Sequence, residues 1–146
     1  NNSWMHNYHR LVKGKPRHQL LMNPVDLDQR GLADGQLVSV RSRVGAIEVE
    51  VAASDEMMPG VVSLPHGWGH ARPGVRMGIA MAQPGASAND LTDECQLDEL
   101  SGNAALNGVP VSCVRSAYLM INVCHTRKKL LQLNLGMMSQ PVKKSA

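Results

Sequence analysis

Residues 45–51 set Ile47, Val49 and Val51 against Glu48 and Glu50. A period of two places one set of side chains in a core and the other in water, so this stretch reads as a half-buried strand. A second strand is expected at residues 36–41, joined to the first by Arg43-Val44-Gly45 as a short hairpin loop. A third follows the Pro59-Gly60 turn at residues 61–64. Upstream, an apolar run at residues 20–23 leads into Asn23-Pro24-Val25-Asp26. Asn is a good N-cap, Pro suits the first helical position, and Asp favours the positive end of the helix dipole. That helix should end near Gly31 after about two turns, with Asp34-Gly35 turning the chain into the next strand. Strand, short helix, hairpin and strand together predict a closed or half-closed β unit.

Composition agrees with a small barrel. The 146 residues suit one domain with its own core, and 43% are hydrophobic, yet only 3% are aromatic and Phe is absent. Val, Leu, Met and Ala must therefore fill the interior, as in a compact β-rich structure. Residues 70–89 are rich in Gly, Pro and Ala without a strong period and read as a long surface loop, a kind that often carries function. Asn107-Gly108 signals a turn before Val109-Pro110-Val111-Ser112, the expected closing strand.

The net charge of +3 is unevenly spread. Residues 1–112 hold all twelve acids against nine Lys and Arg, whereas residues 113–146 hold six basic residues and no acid. Such a tail can mark an arm for nucleic acid or a membrane, but far more often it is a solvated extension. Cys95, Cys113 and Cys124 are odd in number and lack C-x-x-C spacing, which points to a reducing compartment without a disulfide framework or zinc knuckle. No apolar run approaches the ~20 residues needed to cross a bilayer. The opening Asn1-Asn2-Ser3-Trp4 carries no leader pattern and falls within a patterned segment, so the chain reads as a fragment of something longer.

The stretch Gly60-Val61-Val62-Ser63-Leu64-Pro65-His66-Gly67-Trp68-Gly69-His70 runs an apolar strand into a glycine-spaced loop with two histidines and a tryptophan. Glycines let a ligand approach the backbone, and an indole between them offers a flat wall. The other reading is a tight turn whose Trp68 caps the core. His66 and His70 stand four apart like a helical metal pair, but Gly67 and Gly69 oppose a helix and a third ligand is not at ligand spacing. Asn89 either contacts a ligand or caps the turn at Asn89-Asp90.

Taken in order, Asn2-Ser3-Trp4-Met5-His6-Asn7, Asn23-Pro24-Val25-Asp26, Gly31-Leu32-Ala33-Asp34-Gly35, Leu64-Pro65-His66-Gly67-Trp68-Gly69-His70, Asn89-Asp90-Leu91-Thr92 and Ser101-Gly102-Asn103-Ala104-Ala105-Leu106-Asn107-Gly108-Val109-Pro110-Val111 form a pattern. It resembles the C-terminal molybdopterin-dinucleotide-binding domain of molybdenum or tungsten oxidoreductases related to dimethyl sulfoxide reductase and formate dehydrogenase. The resemblance implies a mainly β fold, a double-psi β-barrel of the aspartate-decarboxylase-like kind with short helices, spanning residues 1–112. It also implies one pterin-guanine dinucleotide (Mo or W) shared with upstream catalytic domains, and no catalytic or metal-ligating residue within this chain. By motif position it implies cofactor contacts from Ser3, Trp4, His6, Asn7, His66, Trp68 and Asn89. A cytoplasmic location is expected, or a periplasmic one if the full chain carries an export signal.

Residues 113–146 match nothing in that pattern and are expected to be an unassigned basic extension. Two rivals use other features: a β-barrel module whose basic tail contacts nucleic acid through its phosphates, and a metal hydrolase built on His66 and His70. Scarce aromatics and an acidic barrel oppose the first, since base stacking needs exposed rings.

Overall fold

The computed structural model describes residues 3–83 and 85–116. The chain divides into two units, Asn1–Arg115 and Ser116–Ala146, and the sheet and site belong to the first. Residues 117–146, with the basic stretch Arg127-Lys128-Lys129, lie outside the described residues.

A 3-10 segment at Ser3–Asn7 and the one-turn helix α1, His9–Val12, precede the first strand, β1, Gln19–Met22. Helix α2, Pro24–Arg30, follows directly. Its cap is the one the sequence predicts: Asn23 Oδ1 accepts from Val25 N at 2.9 Å, and Gly31 closes the far end in the left-handed region at φ 61°. The hairpin comprises β2, Leu37–Arg41, and β3, Ala46–Ala53. Then come β4, Val62–Ser63, the one-turn helix α3, Gly78–Met81, a second 3-10 segment at Ala88–Asp90, and β5, Ser112–Arg115.

The five strands form one sheet in the order β4-β1-β3-β2-β5. β1 and β3 pair in parallel, and the other pairings are antiparallel. A parallel neighbour requires a crossover. Here α2 and β2 supply it, so β3 returns beside β1 with Leu20 opposite Val51. The alternation read from the sequence is literal in β3: Ile47, Val49 and Val51 are buried, while Glu48 and Glu50 are exposed. Those three join Leu20, Met22, Val38, Val40 and Cys113 from the other strands, Leu27 from α2, and Leu32 and Leu91. Each large apolar side chain buried there contributes roughly 1.5–3 kcal/mol. The result is a mainly β, half-barrel sheet with few short helices.

Two expectations are corrected. The last strand is Ser112–Arg115, not 109–112, because Val40 pairs with Cys113 and Arg41 with Ser112; Pro110 has no N–H to give a ladder. The long loop after His70 contains α3, which no periodicity announced. A single turn is too short to show one, and this one is held from outside, as Asn7 Oδ1 accepts from Ile79 N at 3.0 Å and Ala80 N at 3.3 Å.

Arg43 in the hairpin loop makes a two-pronged ion pair with Asp93, whose Oδ1 also accepts from Cys95 N at 2.8 Å. These bonds to the charged form, the Arg43 hydrogen bond foremost, bring the Asp93 carboxyl from its ordinary 3.8 down to about 2. A depressed carboxylate stabilises the fold above its unfolded value and stops doing so as pH falls through the folded value. Asp93→Asn should therefore melt several degrees below wild type at neutral pH, and the gap should shrink between pH 4 and pH 2. Parallel melting curves across that range test this; a gap independent of pH would refute it.

Candidate functional site

The glycine-spaced loop leaves β4 and folds back so that the buried Gly67 offers its carbonyl to two imidazoles. His6 Nδ1 donates to it at 2.6 Å from 61 residues away, and His70 Nε2 donates at 2.8 Å. The first bond ties the N-terminal 3-10 segment to this loop. The neighbouring indole packs against two imidazole rings. Trp68 lies 4.3 Å from the His6 ring at 53° and 5.1 Å from the His18 ring at 38°, within the range of tilted ring contacts.

A second segment closes over the indole. A Cβ on Gly85 would stand 2.8 Å from Trp68 Cβ and 3.0 Å from His18 Nδ1, and one on Gly69 would stand 2.8 Å from the Ala86 carbonyl carbon. Residues 85–87 thus lie directly on Trp68 and Gly69. Further along, Asp90 pairs with Arg72. Three distant stretches, around His6, Trp68 and Gly85, therefore converge.

Two cavities share the wall they make. One, about 340 Å³, is lined by Lys15, Arg17, His18, Glu48, Glu50 and Trp68 among others. The other, about 270 Å³, is lined by Met5, His6, Leu11, Arg17, Pro65 and Trp68. Arg17 and Trp68 belong to both, and Arg17 Nη2 is anchored on the Leu11 carbonyl. Burial pushes the His18 imidazole below its usual value, while a hydrogen bond with the Ala86 backbone pulls the other way. His18 Nε2 is a buried side-chain nitrogen with no hydrogen-bond partner among the described residues. The site thus gathers a flat indole, the cations Lys15 and Arg17, the carboxylates Glu48 and Glu50, and a buried imidazole nitrogen.

Of the residues marked by sequence, His6 and Trp68 meet. Asn7 is engaged by the N–H groups of α3. Trp4 is 67% exposed, His66 is exposed, and Ser3 lies in the first 3-10 segment. Asn89 sits exposed in the second 3-10 segment, where its carbonyl accepts from Thr92 Oγ1 at 2.9 Å. The sequence reading missed Arg17, His18 and Gly85. Arg17-His18 directly before the first strand was the available signal, but nothing linear connects it to Trp68 fifty residues on.

An indole packed against two imidazoles, with two cavities that share Trp68 and Arg17, marks a small, mainly β domain with a half-barrel sheet. Residues 1–110 match the Molydopterin dinucleotide binding domain family, and the chain belongs to it. It is 28% identical over 123 residues to a tetrathionate reductase chain of Salmonella typhimurium, covering 73% of this chain and 12% of that protein. It is 30% identical over 114 residues to ArrA, the molybdopterin-containing chain of the arsenate respiratory reductase of Chrysiogenes arsenatis, covering 74% and 13%. The chain thus spans about an eighth of the length of these relatives. Acetylene hydratase from Pelobacter acetylenicus shares the fold, with a TM-score of 0.64 at 19% identity, covering 80% of this chain and 16% of that one. None of these likenesses supports the nucleic-acid reading.

Proposed function

We propose that this chain holds the pterin-guanine dinucleotide of a molybdenum or tungsten cofactor as the C-terminal domain of a larger oxidoreductase, completed by catalytic domains upstream. The observation that carries the reading is Trp68 clasped by His6 and His18 between two cavities that share Arg17. The residues fit such a group. A flat heterocycle finds a wall in Trp68, and a diphosphate finds cations in Lys15 and Arg17, which line the same cavity. Gly85 packs so closely on Trp68 and His18 that a Cβ there would stand 2.8 Å from Trp68 Cβ, which fixes the position of the indole. When bound, the cofactor's metal supplies the redox chemistry, and the protein supplies position and electrostatics.

Within that assignment the roles divide by geometry. His6 and His70 fix the Gly67 carbonyl and so the plane of Trp68; Asn7 acts through α3. Ser3, Trp4, His66 and Asn89 are proposed as peripheral contacts around this centre, on motif position. The half-barrel is proposed to belong to a double-psi β-barrel, and the free thiols Cys95 and Cys113 fit a cytoplasmic setting. The test is composition. The full-length protein, isolated intact and denatured, should release pterin, guanine nucleotide and molybdenum or tungsten in fixed ratio to protein. Pterin-free protein of full yield and native fold would refute the assignment.

A further inference from the structure

We infer that Met5, Tyr8 and Leu11, with Arg10 and Lys13 beside them, form the face by which this domain docks on the upstream domains of its own polypeptide, against a surface that is apolar at its centre and acidic at its rim. This goes beyond the dinucleotide reading and rests on one part of it, that the chain is a domain of a longer oxidoreductase. Helix α1 buries none of its own residues, and Tyr8 at its N-cap makes no side-chain capping bond. One helical turn does not sustain itself in water, because most helical stability in proteins comes from packing. The chain has only two Trp and two Tyr, and no Phe. Yet Trp4 is 67% and Tyr8 59% exposed, with Met5 and Leu11 exposed in the same run. The segment is pinned: Asn7 holds α3, His6 donates to the Gly67 carbonyl, and Arg17 Nη2 donates to the Leu11 carbonyl. A fixed apolar face in solvent marks a contact surface.

Charge and chain length narrow the occupant. No acid precedes Asp26, whereas Arg10, Lys13, Lys15 and Arg17 all do. Lys15 and Arg17 line the cavity beside Trp68, while Arg10 and Lys13 enter no ion pair among the described residues and call for carboxylates on the partner. Trp, Tyr, Met and Arg are the types enriched where proteins meet. In the tetrathionate and arsenate reductase relatives about seven-eighths of the polypeptide lies outside the matched region, covalently joined and so at high effective concentration. A lipid surface also draws Trp, Tyr and cations, but through a continuous amphipathic helix, which one turn does not provide. Trp4, proposed above as a peripheral cofactor contact, begins the same run, and Met5 and Leu11 line the smaller cavity with Trp68, so the docking face adjoins the site.

The experiment treats the full-length protein with dilute hydrogen peroxide and, separately, with a carbodiimide, which joins an amine directly to a carboxylate; mass spectrometry reads both. Met5 and Met58 are 36% and 71% exposed in this domain, so with both faces bare their sulfoxides should form within about twofold of each other. On a docked face Met5 should react more than about fivefold more slowly than Met58, and Lys13 should cross-link to carboxylates upstream of Asn1. A smaller gap between the two methionines overturns the inference. A slow Met5 without that cross-link overturns it as well, since the bound cofactor then covers the face. So do Lys13 cross-links that join two copies of the chain, and a Met5 that turns slow only when anionic vesicles are added, which puts a lipid surface there. A native polypeptide with no domain upstream overturns the larger-oxidoreductase reading instead.

Discussion

Gly69→Ala should destabilise the domain by about 3 kcal/mol and empty the site, although it adds one methyl group. Gly69 sits at φ +84°, where a Cβ clashes with the residue's own backbone at a cost of roughly 1–2 kcal/mol. That cost is common to many loop glycines. What sets Gly69 apart is its neighbours: the new Cβ would collide with Ser87 N and come within 2.8 Å of the Ala86 carbonyl carbon and 2.9 Å of Ser87 Cα. These are backbone atoms, which cannot rotate aside as a side chain does, so residues 85–87 must lift off the indole. Gly74 is the internal control, since it has a nearly identical φ of +87° and nothing within 4 Å of its Cβ position. Gly74→Ala should cost about 1 kcal/mol, the conformational part alone. Urea unfolding of both variants, read beside their pterin content, separates the two contributions. Equal destabilisation would mean that the 85–87 segment does not press on Gly69.

This comparison shows what linear sequence can carry. The α2 helix was legible end to end, because Asn23, Pro24 and Gly31 each act through backbone within a turn of themselves. The β2–β3 hairpin was legible for the same reason, its pattern being a property of seven neighbouring residues. The closing strand was misplaced by three residues because its position is decided by pairing with Val40 and Arg41, some seventy positions earlier. The site divides along the same line. The glycines and Trp68 marked the loop, but the facts that matter are long-range. His6 reaches Gly67 across 61 residues, and His18 and Gly85 meet at one indole from before and after it in the sequence. Asn7 shows the converse, since a residue marked for ligand contact is occupied in holding α3, a helix invisible in the sequence.

Removing the indole should have the largest effect on binding. Trp68→Ala deletes the wall common to both cavities and leaves His6 and His18 without the ring each packs against. Truncating a buried Trp costs roughly 3–5 kcal/mol in a core; Trp68 is only partly buried, so about 2–3 kcal/mol is expected from stability. Binding should suffer more, because the two cavities merge and the flat surface that orients the ligand disappears. Dinucleotide content should fall at least tenfold, equivalent to about 1.4 kcal/mol of lost affinity. Trp68→Phe discriminates between the loss of a plane and the loss of bulk. It keeps an aromatic face between the imidazoles while surrendering volume, so it should retain most of the dinucleotide and yet melt below wild type. If both variants lose cofactor equally, bulk rather than planarity holds the site together, and Trp68 is a lid on the fold. If Trp68→Ala keeps wild-type content, the ligand lies elsewhere, and the clasp of His6, Trp68 and His18 serves stability alone.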